Sequence, residues 1–572
     1  MRHYHVRGRT GRRIGWGTML ATTLLATGLL ASSVTAAAED RGPPVDSPAK
    51  ELASRAAHTA REVDRLLAEE TKAGTAAAGP AVPRVGDETF LRRLSLDLIG
   101  RPPSPEETTL FALDTSPAKR ATLVEKLLAD QRYGENWARY WRDVIFYRRT
   151  EERSIIGAES CADFLAEKLN ANARWDEVAT ALITATGDVE ENGATGLLFA
   201  HRGEPEAVVA EVTRIFSGIQ ISCAQCHDHP TDRWKRDQFH KMAAFFPRIA
   251  LRPNPQQGPR SFTIAVTDFE PRFRPRNAMQ RVQGSLEHYM PDLNDPQAKG
   301  TLMQPVFFVS GQTLDVGTKD ADRRGQFSQW LTGRDNPWFA RALVNRLWSE
   351  LVGEGFYEPV DDMGPDRECS APQTLDYLSQ SFAASGYDVK QLFRTIVATE
   401  AYQRESRSRR QPEDPPFAAN TSQRLRGDQL FNQLIALLGV SEGEAGRGGP
   451  AGGPPGLRRG PRAQFNAVFG YDPSSPRDEI TGSIQQALIL MNSPLINGAL
   501  NGQRGTLARL LRDIPQDDDL TTELYLRALG REPAEQELRT CRDYVREVGQ
   551  RREAFEDILW SLVNSTEFLH RK

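Results

Sequence analysis

The chain has 572 residues, 39% of them hydrophobic and 26% charged, with a formal net charge of -4. That length exceeds what one hydrophobic core serves and implies roughly two to four packed units. The apolar and charged fractions exclude a polytopic membrane protein and a wholly disordered chain, and the absence of basic excess argues against a nucleic-acid partner.

Residues 1–13 carry Arg2, Arg7, Arg9, Arg12 and Arg13 and no acid, and MLATTLLATGLLA (19–31) follows as a short apolar run. Val34-Thr35-Ala36 and Ala36-Ala37-Ala38 offer small-residue cleavage sites. The run falls short of the roughly 20 apolar residues that a spanning helix needs. Residues 1–38 therefore read as a signal peptide, with the mature protein exported to the periplasm or cell envelope and carrying no transmembrane segment after cleavage. A retained anchor is the alternative.

Residues 49–74 place Leu52, Ala56, Ala60, Val63, Leu66 and Leu67 on one helical face. After a short Ala/Gly/Pro link, DETFLRRLSLDLIG predicts a helix ending at Gly100. In the next helix Ser104, Pro105 and Glu107 form a capping box. Residues 120–148 continue as a helical stretch, in which Trp137, Tyr140 and Trp141 cluster as core aromatics. Residues 205–222 place Val208, Val209, Val212, Ile215, Phe216 and Ile219 at helical spacing, and 237–246 predict a short helix. The helical period is lost from 250 to 320, where PRSFTIAVTDFE and QPVFFVSGQTL read as strands. Helices return from 322, interrupted by a Gly/Pro/Arg-rich segment (442–463) read as a disordered loop. Two corners, at 91–107 and 524–537, share a helix–GRxP–helix pattern.

The fold expectation is mainly α. Two helical domains, 48–250 and 322–572, are joined by a β-containing connector at 251–321, with the disordered loop inside the second.

Chemistry concentrates in ISCAQCHDHP (221–230). Cys161, Cys369 and Cys541 lie far apart and read as buried small apolar residues, so only Cys223 and Cys226 have chemical spacing. C-x-x-C-H suits covalent haem: two thiols add to the vinyl groups and His227 becomes the axial iron ligand. The second axial position has no marked owner; Met242, His240, Met279, Met290 and Met303 are the candidates. A zinc or iron site built from Cys223, Cys226, His227 and His229, completed by Asp228, Asp232 or His240, is the alternative. A disulfide closing the C-x-x-C is the third reading. Asp361-Asp362 could be an acid/base pair, although neighbouring loop carboxylates are more often solvated or capping. Asn345, Arg346 and Trp348 read as a buried polar network. No nucleotide-binding or hydrolase signature is present.

Taken together, DETFLRRLSLDLIGRPPSPEE, LLADQRYGENWARYWRDV and SCAQCHDHPTDRWKRDQFHKMAAFF resemble the planctomycete-specific cytochrome-like family of exported proteins, over about 48–250. A second stretch, about 322–570, resembles that family's C-terminal domain through NPWFARALVNRLWSELVGEGFYEPVDDMG and DVKQLFRTIVATEAYQRES. Both family domains are of unknown function. Thr231 stands where the resemblance implies an aromatic. The resemblance implies haem c at Cys223, Cys226 and His227 and a role in electron transfer or as a redox subunit, with a redox partner or envelope protein. The competing class is a metal-stabilised scaffold of the envelope. Action on polysaccharide there is a third class, suggested by the family's setting alone. Whether the protein is an enzyme stays open.

Overall fold

The computed structural model describes residues 48–74, 82–256, 261–267, 284–407, 415–440, 460–492 and 505–572. Residues 1–38, expected to be a signal peptide, and Met279 lie outside them. Pro48–Lys572 form one compact unit, and its architecture is mainly α with a few short strands.

Local chemistry sets the helix boundaries. The capping box forms as expected: Glu107 N–H donates to Ser104 Oγ at 3.1 Å and Ser104 N–H to Glu107 Oε2 at 3.0 Å. The 120–148 stretch is two helices, Lys119–Leu128 and Gln131–Phe146, because Asp130 accepts from the Arg132 amide at 2.9 Å and starts a new helix. On the second of these, Tyr133, Trp137, Tyr140 and Trp141 are buried. The Trp137 ring lies 4.6 Å from Phe393 and Trp141 4.5 Å from Trp175, so the cluster is core.

Burial divides into two clusters. The first runs from Val63 to Phe417 and takes residues from both sides of position 322. The second gathers Leu425 to Phe568 around the C-terminal helices and includes Leu96 from the N-terminal half. Buried ion pairs tie the ends of the chain together, as where Arg571 donates to Asp97 at 2.6 Å. The two GRxP corners are real helix–turn–helix units, and both turn through a left-handed glycine, Gly100 and Gly530.

Among the described residues the connector holds a few short strands, as expected, though not every apolar run forms one. Phe262–Val266 pairs antiparallel with Ile249–Pro253 and with Gly187–Asp188. QPVFFVSGQTL contributes an isolated bridge, Val306 to Thr313. The more consequential element is a two-stranded antiparallel ladder, His288–Met290 with Thr301–Met303, lying on the helix Arg236–Ala243. Of the loop expected at 442–463, residues 442–459 lie outside the described ones, and Pro461–Ala463 instead open the helix Pro461–Phe469, because proline suits a first helical turn.

Candidate functional site

The helix expected over 205–222 is shorter. Pro205–Ser217 is helical and ends at Gly218, whose φ of 64° lies in the left-handed region. A Cβ at Gly218 would meet the Met363 Cε at 2.7 Å, while the Gly218 carbonyl accepts from the Met363 amide at 2.7 Å. The cysteine motif therefore does not continue the helix but forms its own 3₁₀ turn, Ser222–Gln225. Gly218→Ala is expected to lower stability by about 1–2 kcal/mol, read from the urea midpoint, because alanine resists that backbone conformation.

Ala224 is fully buried and pins the turn, so Cys223, Cys226 and His227 stand exposed around it. All five cysteines are free thiols, and Cys223 and Cys226 are not joined. His227 Nδ1 lies 2.7 Å from the Asp228 carbonyl oxygen, which can only accept. That contact places the ring proton on Nδ1 and leaves Nε2 with a lone pair for a metal. Asp228 is itself fixed: its carboxylate accepts from the Arg236 amide at 3.1 Å and pairs with Lys235 at 3.1 Å, and those contacts hold its pKa below the usual value.

The remaining sequence candidates go elsewhere. His229 Nδ1 accepts from the Thr231 amide at 3.3 Å and its own amide donates to the Trp234 carbonyl at 2.8 Å, which makes it part of the loop's scaffold. Asp232 accepts from the Arg233 amide at 2.7 Å. Thr231 accepts from Arg367 at 3.1 Å. Met242 is fully buried, and its sulfur accepts from the Phe308 amide at 3.4 Å. His240 is also buried, but its Nε2 reaches the carbonyl of Gln225, inside the motif, at 3.0 Å. Met303 is buried in the ladder.

Asp361 is not a solvated loop acid. It is fully buried, accepts from Arg214 and Gln220 at 2.8 Å each, and lies 3.5 Å from Arg346. Arg214 and Gln220 flank the helix end that leads into the cysteine turn, so the 359–367 segment fixes the turn from behind. Asn345 is structural, as its mid-helix position suggests: its side chain accepts from the Phe356 and Tyr357 amides and donates to the Tyr357 and Val360 carbonyls. Arg346 donates to Ser474 at 3.0 Å.

The donor set at the turn fits covalent haem: two free thiols in C-x-x-C spacing, followed by an imidazole whose Nδ1 proton is held by a carbonyl. Side chains able to hold a metal ion converge at a different place. Among the described residues, the ones found within 4.8 Å of one another belong to Glu206, His240 and His288. Sequence reading singled out His240 but gave no sign of the other two.

The family PSCyt2, a protein of unknown function (DUF1549), matches residues 62–250, and PSD1, a protein of unknown function (DUF1553), matches residues 323–456. No curated protein and no solved structure matches the chain. The cysteine turn falls in the first matched segment and the Asp361 anchor in the second, so the contacts that hold the turn cross between them. The chain belongs to the two-domain planctomycete-specific family in which a PSCyt2 segment precedes a PSD1 segment, both of unknown function.

Proposed function

We propose that this protein is an exported c-type cytochrome-like carrier, with one haem bonded through Cys223 and Cys226 and His227 as the axial ligand, serving a redox partner of the cell envelope. The observation that carries this reading is the polarised imidazole: Nδ1 of His227 is committed to the Asp228 carbonyl at 2.7 Å, so Nε2 is the free donor beside two reduced thiols. Bound there, haem would supply a one-electron iron couple.

The chain's own residues support such a role in three ways. Exposure of Cys223 and Cys226 leaves both sulfurs open to attachment after export. Burial of Ala224 and the hydrogen bond from Arg236 to Asp228 hold the turn in one shape. The surface position suits a brief encounter with a partner, since electron-transfer interfaces are small. Among the described residues no helix is long and apolar enough to cross a membrane.

Expression with export in a host that has haem-c maturation machinery is expected to yield one haem per chain that survives denaturation, read as a pyridine haemochrome. Cys223→Ser with Cys226→Ser is expected to abolish it, while leaving the fold intact by circular dichroism. A wild-type protein that is exported and folded but carries no covalent haem overturns the proposal.

A further inference from the structure

We propose that Glu206, His240 and His288 form a second, separate site, which binds one divalent transition-metal ion such as zinc or ferrous iron directly beneath the cysteine turn. The three residues come from three elements: the first turn of the helix Pro205–Ser217, the helix Arg236–Ala243 and the first position of the strand His288–Met290. Their ligand atoms lie within 4.8 Å of one another, and both imidazoles are buried.

The tautomer of His240 is set for ligation. His240 Nε2 faces the Gln225 carbonyl at 3.0 Å and must carry the proton, so Nδ1 holds a lone pair. That lone pair accepts from His288 Nε2–H at 2.9 Å, and a metal ion would take the place of that shared proton, His288 then carrying its proton on Nδ1. Two nitrogens sharing a tetrahedral ion at about 2.0–2.1 Å stand about 3.3 Å apart, so admitting the ion takes a shift of only a few tenths of an ångström. The rings are nearly parallel, at 20°, with centroids 5.2 Å apart.

The strand that carries His288 is anchored beside it. Glu287, next to His288, receives two hydrogen bonds of 2.7 Å from the fully buried Arg323, which fixes the start of the strand. Glu206 is half-buried, and its carboxylate makes no hydrogen bond or ion pair among the described residues. Two neutral imidazoles and one carboxylate suit zinc or iron, with coordination positions left for water or a ligand. Because His240 holds the Gln225 carbonyl, an ion on Nδ1 polarises the N–H that supports the C-x-x-C-H turn.

The test uses cobalt(II) added to the full exported chain after stripping with chelator, in wild type and in the Cys223→Ser/Cys226→Ser variant. One equivalent is expected to bind in both, with d–d bands and without a sulfur-to-cobalt charge-transfer band. His240→Gln and His288→Gln are each expected to weaken binding by more than about 100-fold, since loss of outer partners alone costs about 10–100-fold. Glu206→Gln, at a half-buried position, is expected to weaken it as well and serves if a histidine variant fails to fold. Binding that vanishes with the cysteines but survives the histidine changes overturns the proposal. So does the absence of cobalt uptake in folded protein, which would leave a purely structural His–His hydrogen bond. Haem content, followed separately by haemochrome, reports on the first site and not on this one.

Discussion

Asp361→Ala is expected to destabilise the protein by about 3–5 kcal/mol, because it removes one partner from a buried charge network and leaves the others uncompensated. The carboxylate is fully buried, and burial alone would raise its pKa. The Arg214, Arg346 and Arg148 guanidiniums outweigh that effect and hold it down at about 2. Deleting it leaves Arg214, itself only 2% exposed, sharing Glu211 alone as a carboxylate partner, and Arg346 with the Ser474 hydroxyl. It also frees Gln220, two residues before the cysteine turn. The loss is therefore expected in two readouts: a lower urea midpoint with unchanged slope, and a reduced yield of any group attached at Cys223 and Cys226. Asp361→Asn, which can keep an acceptor for Gln220, is expected to retain more of the attachment than of the stability. A loss below about 1 kcal/mol for the alanine variant would show that the network is solvated rather than buried.

Periodicity carried most of the architecture. The amphipathic run at 49–74 becomes the helix Pro48–Gly74, the Ser104 capping box forms, and the aromatic stripe at Trp137, Tyr140 and Trp141 is buried. Where two local signals competed, the apolar pattern misled: Ile219 prolongs the helical spacing past Gly218, yet the left-handed glycine ends the helix and sets the cysteines on a turn of their own. The apolar 304–314 run failed as a strand because it pairs only through one bridge. What the sequence could not reveal depends on distant partners. Asp361 looks like an ordinary loop acid until Arg214, 147 residues earlier, is placed on it. His288 lies in GSLEHYMPD, a stretch with no motif, and only the pairing of its strand with Met303 brings it against His240. The same holds for the core, since burial crosses position 322 although the local pattern changes there.

Acid is expected to unfold this protein well above the pH at which ordinary carboxylates titrate. His201, His240 and His288 are all buried, and each has its pKa lowered from 6.5 to about 4, chiefly because burial penalises the charged ring. For His240 the neighbouring His288 and Arg236 push the same way, against the Gln225 carbonyl and Glu206. A lowered folded-state pKa means that the unfolded chain binds the proton first. The stability tied to these neutral rings is therefore complete above pH 6.5 and is lost as pH falls toward 4. Within that window each histidine takes away about 1.4 kcal/mol per pH unit, so three together take about 4 kcal/mol per unit. Over the roughly 2.5 units between 6.5 and about 4 that amounts to at most about 10 kcal/mol, most of a domain stability on the order of 5–15 kcal/mol. Urea midpoints measured from pH 7 to pH 4.5 in the presence of chelator should fall steeply, and His288→Gln should flatten the slope by about one histidine's share. Saturating the site with zinc should steepen the fall, since protons and metal compete for the same nitrogens. A midpoint that does not move between pH 6.5 and 4.5 would mean that these rings take up protons as readily in the folded protein as in the unfolded chain, and the buried imidazole pair could not then be the metal-ready device its geometry indicates.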